Sequence, residues 1–174
     1  MKSVIFLFAA VMIISTTTLS ANSFAGENKK MSEHTFMFQD WEWAVEGQAL
    51  DIEGNVNNQS GTIRFERPDD LVKTIYEYKC TSEQPMENMV YEMIPFKKGS
   101  ETTTWKTVHP HAGPMNGTYW IFGDRIISHY ASENGMFTGG DFYEKLSDEK
   151  YRVTGTVYMN GNPLAKWELV MTKK

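Results

Sequence analysis

Apolar and polar residues alternate through much of this chain. From Val72 to Cys80, Val72, Thr74, Tyr76, Tyr78 and Cys80 share one parity, while Lys73, Glu77 and Lys79 share the other. A period of two places one set of side chains on a buried face of a β-strand. Lys150–Met159 repeats the pattern, with Tyr151, Val153, Val157 and Met159 opposed by Arg152, Thr154 and Thr156. Lys166–Thr172 does so again, with Trp167, Leu169 and Met171 turned inward. β-Branched and aromatic residues dominate these stretches, as a pleated and half-buried surface favours. No window of helical length carries a convincing 3.6-residue apolar stripe, although Ser82–Met93 could open with one helical turn.

The punctuation between these runs is that of hairpins. Asn116-Gly117, Asn134-Gly135 and Asn160-Gly161 are dipeptides that accept positive φ at both turn positions. Gly123-Asp124 and Ser147-Asp148-Glu149-Lys150 mark further tight reversals, and Asn55–Gly61 reads as a loop or hairpin tip. Pro68 ends the strand before it. Strands are therefore predicted at 36–45, 48–56, 61–66, 71–80, 88–96, 102–108, 118–122, 125–131, 136–145, 150–159 and 164–172. Consecutive short strands favour neighbouring antiparallel partners, and closing the sheet removes its exposed edges. The expected fold is all-β: an antiparallel up-and-down barrel of about 8–10 strands.

Three stretches carry a resemblance: the aromatic opening Phe36-Met37-Phe38-Gln39-Asp40-Trp41-Glu42-Trp43, the meander from Thr118, and the closing Lys166-Trp167-Glu168-Leu169. Over residues 34–174 the chain resembles the lipocalin-like (calycin-type) small β-barrels, particularly exported bacterial members. The resemblance implies a barrel that holds a small molecule. Lipocalins carry Gly-x-Trp near the start and this chain has Trp41-Glu42-Trp43 instead, so no ligand residue is carried across.

The N-terminus adds an address. Lys2 precedes the apolar run Val4–Ile14, and Ser23-Phe24-Ala25 sets small residues at −3 and −1 of a cut before Gly26. That is the layout of a secretory signal peptide, and the run is shorter than the roughly 20 residues a span requires. The expected organisation is a signal peptide over 1–25, a flexible segment over 26–35 and one barrel domain over 36–174, exported to the periplasm or secreted. No integral membrane span is expected after cleavage. The chain has 17 Lys+Arg against 22 Asp+Glu, a net charge of −5. Removing the segment that holds Lys2 makes it more acidic, a poor match to nucleic acid, which wants a basic patch. Cys80 is the single cysteine, best read as a small apolar residue at a strand end.

Candidate chemistry is sparse. His109-Pro110-His111 could be two ligands of a metal, but zinc wants three or four, and Pro110 disrupts a regular strand. The stretch reads better as the bend before the next strand, and no metal or other cofactor is expected. Asp51, Glu53, Asn55 and Asn57 alternate oxygen donors, yet Val56 and Thr62 stand where a calcium loop needs glycine and glutamate. No nucleophile motif is present, and the pairs Asp40/Glu42 and Asp141/Glu144 read as surface charges. Aromatic residues make up 13% of the chain, enough to fill a small barrel or to line a cavity in it. On Arg125–Tyr130, Arg125, Ile127 and His129 share one face, read as outward, with Ile126 and Tyr130 in the core. Trp120, His129 and Tyr143 are the residues named as candidates for ligand contact.

The leading expectation is a barrel that binds a small, partly apolar molecule without transforming it. The alternatives are an envelope interaction or stress-related module with a solid barrel, and an isomerase- or cyclase-type enzyme with an internal acid or base. A buried carboxylate or histidine of shifted pKa inside a pocket is the feature the enzyme reading requires.

Overall fold

The computed structural model describes His34 and residues 42–66, 72–80, 89–93 and 101–174. The leader over 1–25, the segment 26–33, the Phe36–Trp41 part of the expected opening strand and the possible helical turn beginning at Ser82 lie outside the described residues. So does the side chain of Cys80.

Ten strands occur among the described residues: β1 (Glu42–Asp51), β2 (Val56–Glu66), β3 (Val72–Cys80), β4 (Met89–Met93), β5 (Thr102–His109), β6 (Gly113–Phe122), β7 (Arg125–Ser132), β8 (Phe137–Ser147), β9 (Lys150–Met159) and β10 (Asn162–Lys173). Each pairs antiparallel with its chain neighbours, and β1 closes the ring on β10 from Trp43↔Lys173 to Asp51↔Ala165. The barrel is all-β, antiparallel and up-and-down. No helix among the described residues is long and apolar enough to cross a membrane.

Alternation decides what faces inward. On β5, Thr103, Trp105 and Thr107 are buried between exposed Thr102, Thr104, Lys106 and Val108. Ile126, Ser128 and Tyr130 are buried on β7, whereas Arg125, Ile127 and His129 are exposed, the outward orientation read from the sequence. Tyr151 and Val153 on β9 and Leu169 and Met171 on β10 complete the inner face. The outer face carries ion pairs such as Arg152–Glu144 at 3.3 Å and Lys106–Glu92 at 3.3 Å.

Two expected turns are strand instead. Asn116-Gly117 lies inside β6, paired with Lys106 and Trp105. The glycine serves a different need there: a methyl group at position 117 would overlap the Trp105 indole. The expected strand 48–56 is interrupted, and the tip comes at Ile52–Asn55 rather than within Asn55–Gly61. Asp51 sets that turn, its Oδ1 accepting from the backbone N–H groups of Glu53 and Asn55, both at 2.9 Å. Gly54 follows with φ +84°. The alternating oxygen donors of this stretch thus fix a turn, as Asx side chains do. Asn160-Gly161 is the tight hairpin its sequence predicts, with φ of 52° and 79°.

The two ends of the barrel differ. At the end bearing the Gly123-Asp124 and Asp148-Glu149 turns, the interior is filled by Trp43, Phe65, Ile121, Ile126 and Tyr151. His34 caps this end, 1% exposed: its Nε2–H donates to the Gly123 carbonyl at 2.6 Å, which leaves Nδ1 to accept from the Tyr151 hydroxyl at 3.3 Å. Trp43 meets Tyr151 edge-on at 5.6 Å. Toward the opposite end, where β5 turns into β6, the barrel is hollow.

Candidate ligand-binding cavity

The hollow is a cavity of about 350 Å³. Val45, Ile63, Met115, Val153, Leu169 and Met171 form its apolar wall, and Tyr119, Tyr130, Tyr143, Trp105 and Trp167 its aromatic one. Gln59, His109, His111, Phe137 and Leu164 lie toward the end with the β5–β6 turn. None of Trp43, Phe65, Ile126 or Tyr151 reaches it, so the space is separate from the capped end.

Barrel width and ring placement together create this space. Eight strands enclose an interior that side chains just fill, and the diameter grows with strand number. Ten strands leave room. Aromatic rings laid against the wall leave more. The Trp167 indole crosses Gly155 on the neighbouring strand, where a methyl group would collide with the indole and with Asp141. Tyr130 lies likewise over Gly139, its hydroxyl donating to the Thr156 carbonyl at 3.4 Å. Trp105 covers Gly117 and contacts Tyr119 and Tyr130, with ring centroids 6.0 and 5.9 Å apart. Tyr119 continues the row to Tyr143 at 6.3 Å, edge-on.

Among the described residues, one acidic group enters this aromatic lining. Asp141 of β8 sits in register between Ser128 of β7 and Gly155 of β9. Its Oδ1 accepts from the Trp167 indole N–H at 3.0 Å. Burial pushes its carboxyl up to about 7, and the Trp167 hydrogen bond only partly offsets that. Tyr130 is pushed above the ordinary phenol range, by burial first and by nearby Asp141 second. The reading of Asp141 as a surface charge is corrected, since it shares the inward parity of Tyr143 and lines the cavity, whereas Glu144 does face outward and bonds to Arg152 at 3.3 Å.

The residues singled out from sequence are spread over three places. Tyr143 is buried and lines the cavity. Trp120, half-buried, and His129, exposed, stand on the outer face of β6 and β7. His109 and His111 stand at the β5–β6 turn with ring centroids 5.9 Å apart. The His109 Nδ1 accepts from the backbone N–H groups of His111 and Ala112 at 3.1 and 3.2 Å, so its role is to shape the bend. Burial, with His111 next to it, lowers the His109 pKa and favours the neutral ring that this acceptor requires. Among the described residues no third His, Cys, Asp or Glu joins them to make a metal site. Asp141 and Trp167 are the site residues that sequence reading missed.

The ring of ten antiparallel strands around an aromatic hollow is a lipocalin-like architecture. Among solved structures, the S-type phycobiliprotein lyase CPES from Guillardia theta matches with a TM-score of 0.65 at 8% identity, over 84% of this chain and 94% of that one. Rv2717c from M. tuberculosis matches with a TM-score of 0.57 at 13% identity, over 77% of this chain and 91% of that one. At such identities the likeness shows the fold. No family model and no curated protein matches the chain.

Proposed function

We propose that this protein is an exported barrel that binds a small, partly apolar molecule in the cavity between the aromatic wall and Leu169. The observation that carries the reading is the asymmetry of the interior, packed and capped at the His34 end and hollow at the other. The volume of about 350 Å³ lies at the small end of the roughly 300–1,000 Å³ typical of ligand pockets. Its lining has the composition such pockets share, mostly apolar with a few fixed polar groups. Export is supported by the charged, apolar and small-residue series that ends at Ala25.

A second reading has one observation in its favour. Asp141, with its carboxyl at about 7, has the acidity a general acid or base requires near neutral pH. Binding is the better account because no nucleophile motif accompanies it and no second carboxyl lines the cavity among the described residues.

The test uses N-phenyl-1-naphthylamine, a neutral probe that brightens in apolar surroundings, with native mass spectrometry of the exported protein. Saturable brightening at one probe per chain, abolished in a folded Leu169→Trp variant, is the expected result. No saturable binding and no co-purifying small molecule would contradict the reading.

A further inference from the structure

We propose that the cavity takes an organic cation with an apolar body, and that Asp141 receives its charged head. The proposal rests on the ligand-binding reading above and names the class of ligand. Among the described residues lining the cavity, Asp141 is the single carboxylic acid, and no lysine or arginine accompanies it. Its Oδ1 is held by Trp167, while Oδ2 makes no hydrogen bond among the described residues. Beside it in the β7–β8 register, the buried Ser128 Oγ also finds no partner among them. Ser128 does not line the cavity among the described residues, so Asp141 Oδ2 is the acceptor offered to a guest there.

An ionised carboxylate taken from water without a partner cation is costly, and a ligand that supplies the cation removes that cost. The adjoining rings suit the same guest. Aromatic faces are negative and attract ammonium or amidinium groups, and Tyr143, Tyr119, Trp105 and Tyr130 form a continuous row. A carboxylate or phosphate ligand would meet Asp141 with like charge.

The groups around Asp141 leave its charge uncompensated. Tyr130 on β7 is held protonated, and β9 offers only Val153, Gly155 and Val157 to the cavity side. β10 contributes the Trp167 N–H. On β8 itself, Lys145 is engaged with Asp148 at 2.6 Å at the capped end. At the cavity's other end, His109 favours its neutral ring, and His111 is exposed. Because burial raises the Asp141 pKa, binding a cation must draw it back down and release a proton below about pH 7. Affinity for a cation therefore rises as pH rises through about 7, and affinity for a guest that needs the protonated acid falls.

Three probes with one aromatic body separate the possibilities: 1-naphthylmethylamine, 1-naphthylmethanol and 1-naphthoic acid, titrated calorimetrically. At about pH 8 the amine is expected to bind at least about tenfold more tightly than the alcohol, the scale of one charge-assisted hydrogen bond, and the acid more weakly still. Asp141→Asn keeps an oxygen for Trp167 and should erase the preference. Should that variant fail to fold, the wild-type amine affinity must still drop by about tenfold between about pH 8 and 5.5. Equal binding of amine and alcohol, or tighter binding of the acid, overturns the proposal and leaves the cavity reading standing. Failure of all three, together with failure of the neutral naphthylamine probe, overturns both.

Discussion

The Trp167 indole reaches across Gly155 to donate its N–H to Asp141 Oδ1 at 3.0 Å. The register pairs Asp141 with Gly155 and Gly155 with Trp167, so the three residues occupy one row across β8, β9 and β10. The glycine is the shelf, and the indole both satisfies the acid and lies flat enough to keep the barrel hollow. Gly155→Ala should therefore destabilise the fold by about 1–3 kcal/mol, the usual scale of overpacking. Thr156→Ala, next along the strand but facing outward, should fall within about 0.5 kcal/mol of wild type. Urea unfolding followed by circular dichroism measures both.

The same acid sets a pH dependence. Its folded pKa, raised by burial to about 7, exceeds the ordinary 3.8, so between these values the folded chain binds a proton that the unfolded chain has lost. Asp141 therefore contributes a loss of stability as pH rises from about 4 to about 7, at no more than about 1.4 kcal/mol per pH unit, levelling above that. Denaturant midpoints compared across this range should converge for wild type and Asp141→Asn at the acid end and separate toward neutral pH, with the asparagine variant gaining relative stability. Parallel curves would contradict the burial of this carboxyl.

At the capped end, the buried ring of His34 links the Gly123 carbonyl to the Tyr151 hydroxyl. His34→Ala removes a buried ring and takes from the buried Tyr151 hydroxyl and the Gly123 carbonyl the partner they share, and should cost about 1–3 kcal/mol. A double-mutant cycle with Tyr151→Phe should give a coupling of about 0.5 kcal/mol or more. Additive losses would mean that the imidazole does not bridge the two.

Truncations read the asymmetry of the interior. Ile126 is fully buried in the filled end, and Leu169 borders the open volume. Ile126→Ala should cost toward the upper part of the roughly 2–5 kcal/mol range for such changes, and Leu169→Ala toward the lower part. A side chain that already faces empty space has fewer contacts to lose. Chemical denaturation of the two variants provides the comparison.

Much of the barrel was legible because its signals are local. Alternation at Tyr151–Val153 and Leu169–Met171 gives the inner face directly, and Asn160-Gly161 folds as the turn its backbone preference dictates. The errors at Asn116-Gly117 and Asn55–Gly61 share a cause. A glycine or asparagine signals a turn only when its own backbone needs one, and at Gly117 the need came from Trp105, on a different strand. The site was less legible for the same reason. Tyr143 was named, but Asp141 looked like a surface charge because the indole that holds it lies 26 residues further along the chain. The inward parity of Tyr143, carried two residues back, was the local signal that could have placed it. Whether rings fill a barrel or line it depends on the cross-strand register of rings and glycines, which no single strand records.

The most direct test of a barrel hollow at one end is a methyl-resolved NMR titration with N-phenyl-1-naphthylamine. Shifts are expected at the methyl groups of Met115, Leu169 and Met171, which line the cavity, and none at Ile121 or Ile126 in the packed end. Shifts confined to the exposed Ile127, Met136 and Met159, or none at all, would contradict a hollow end.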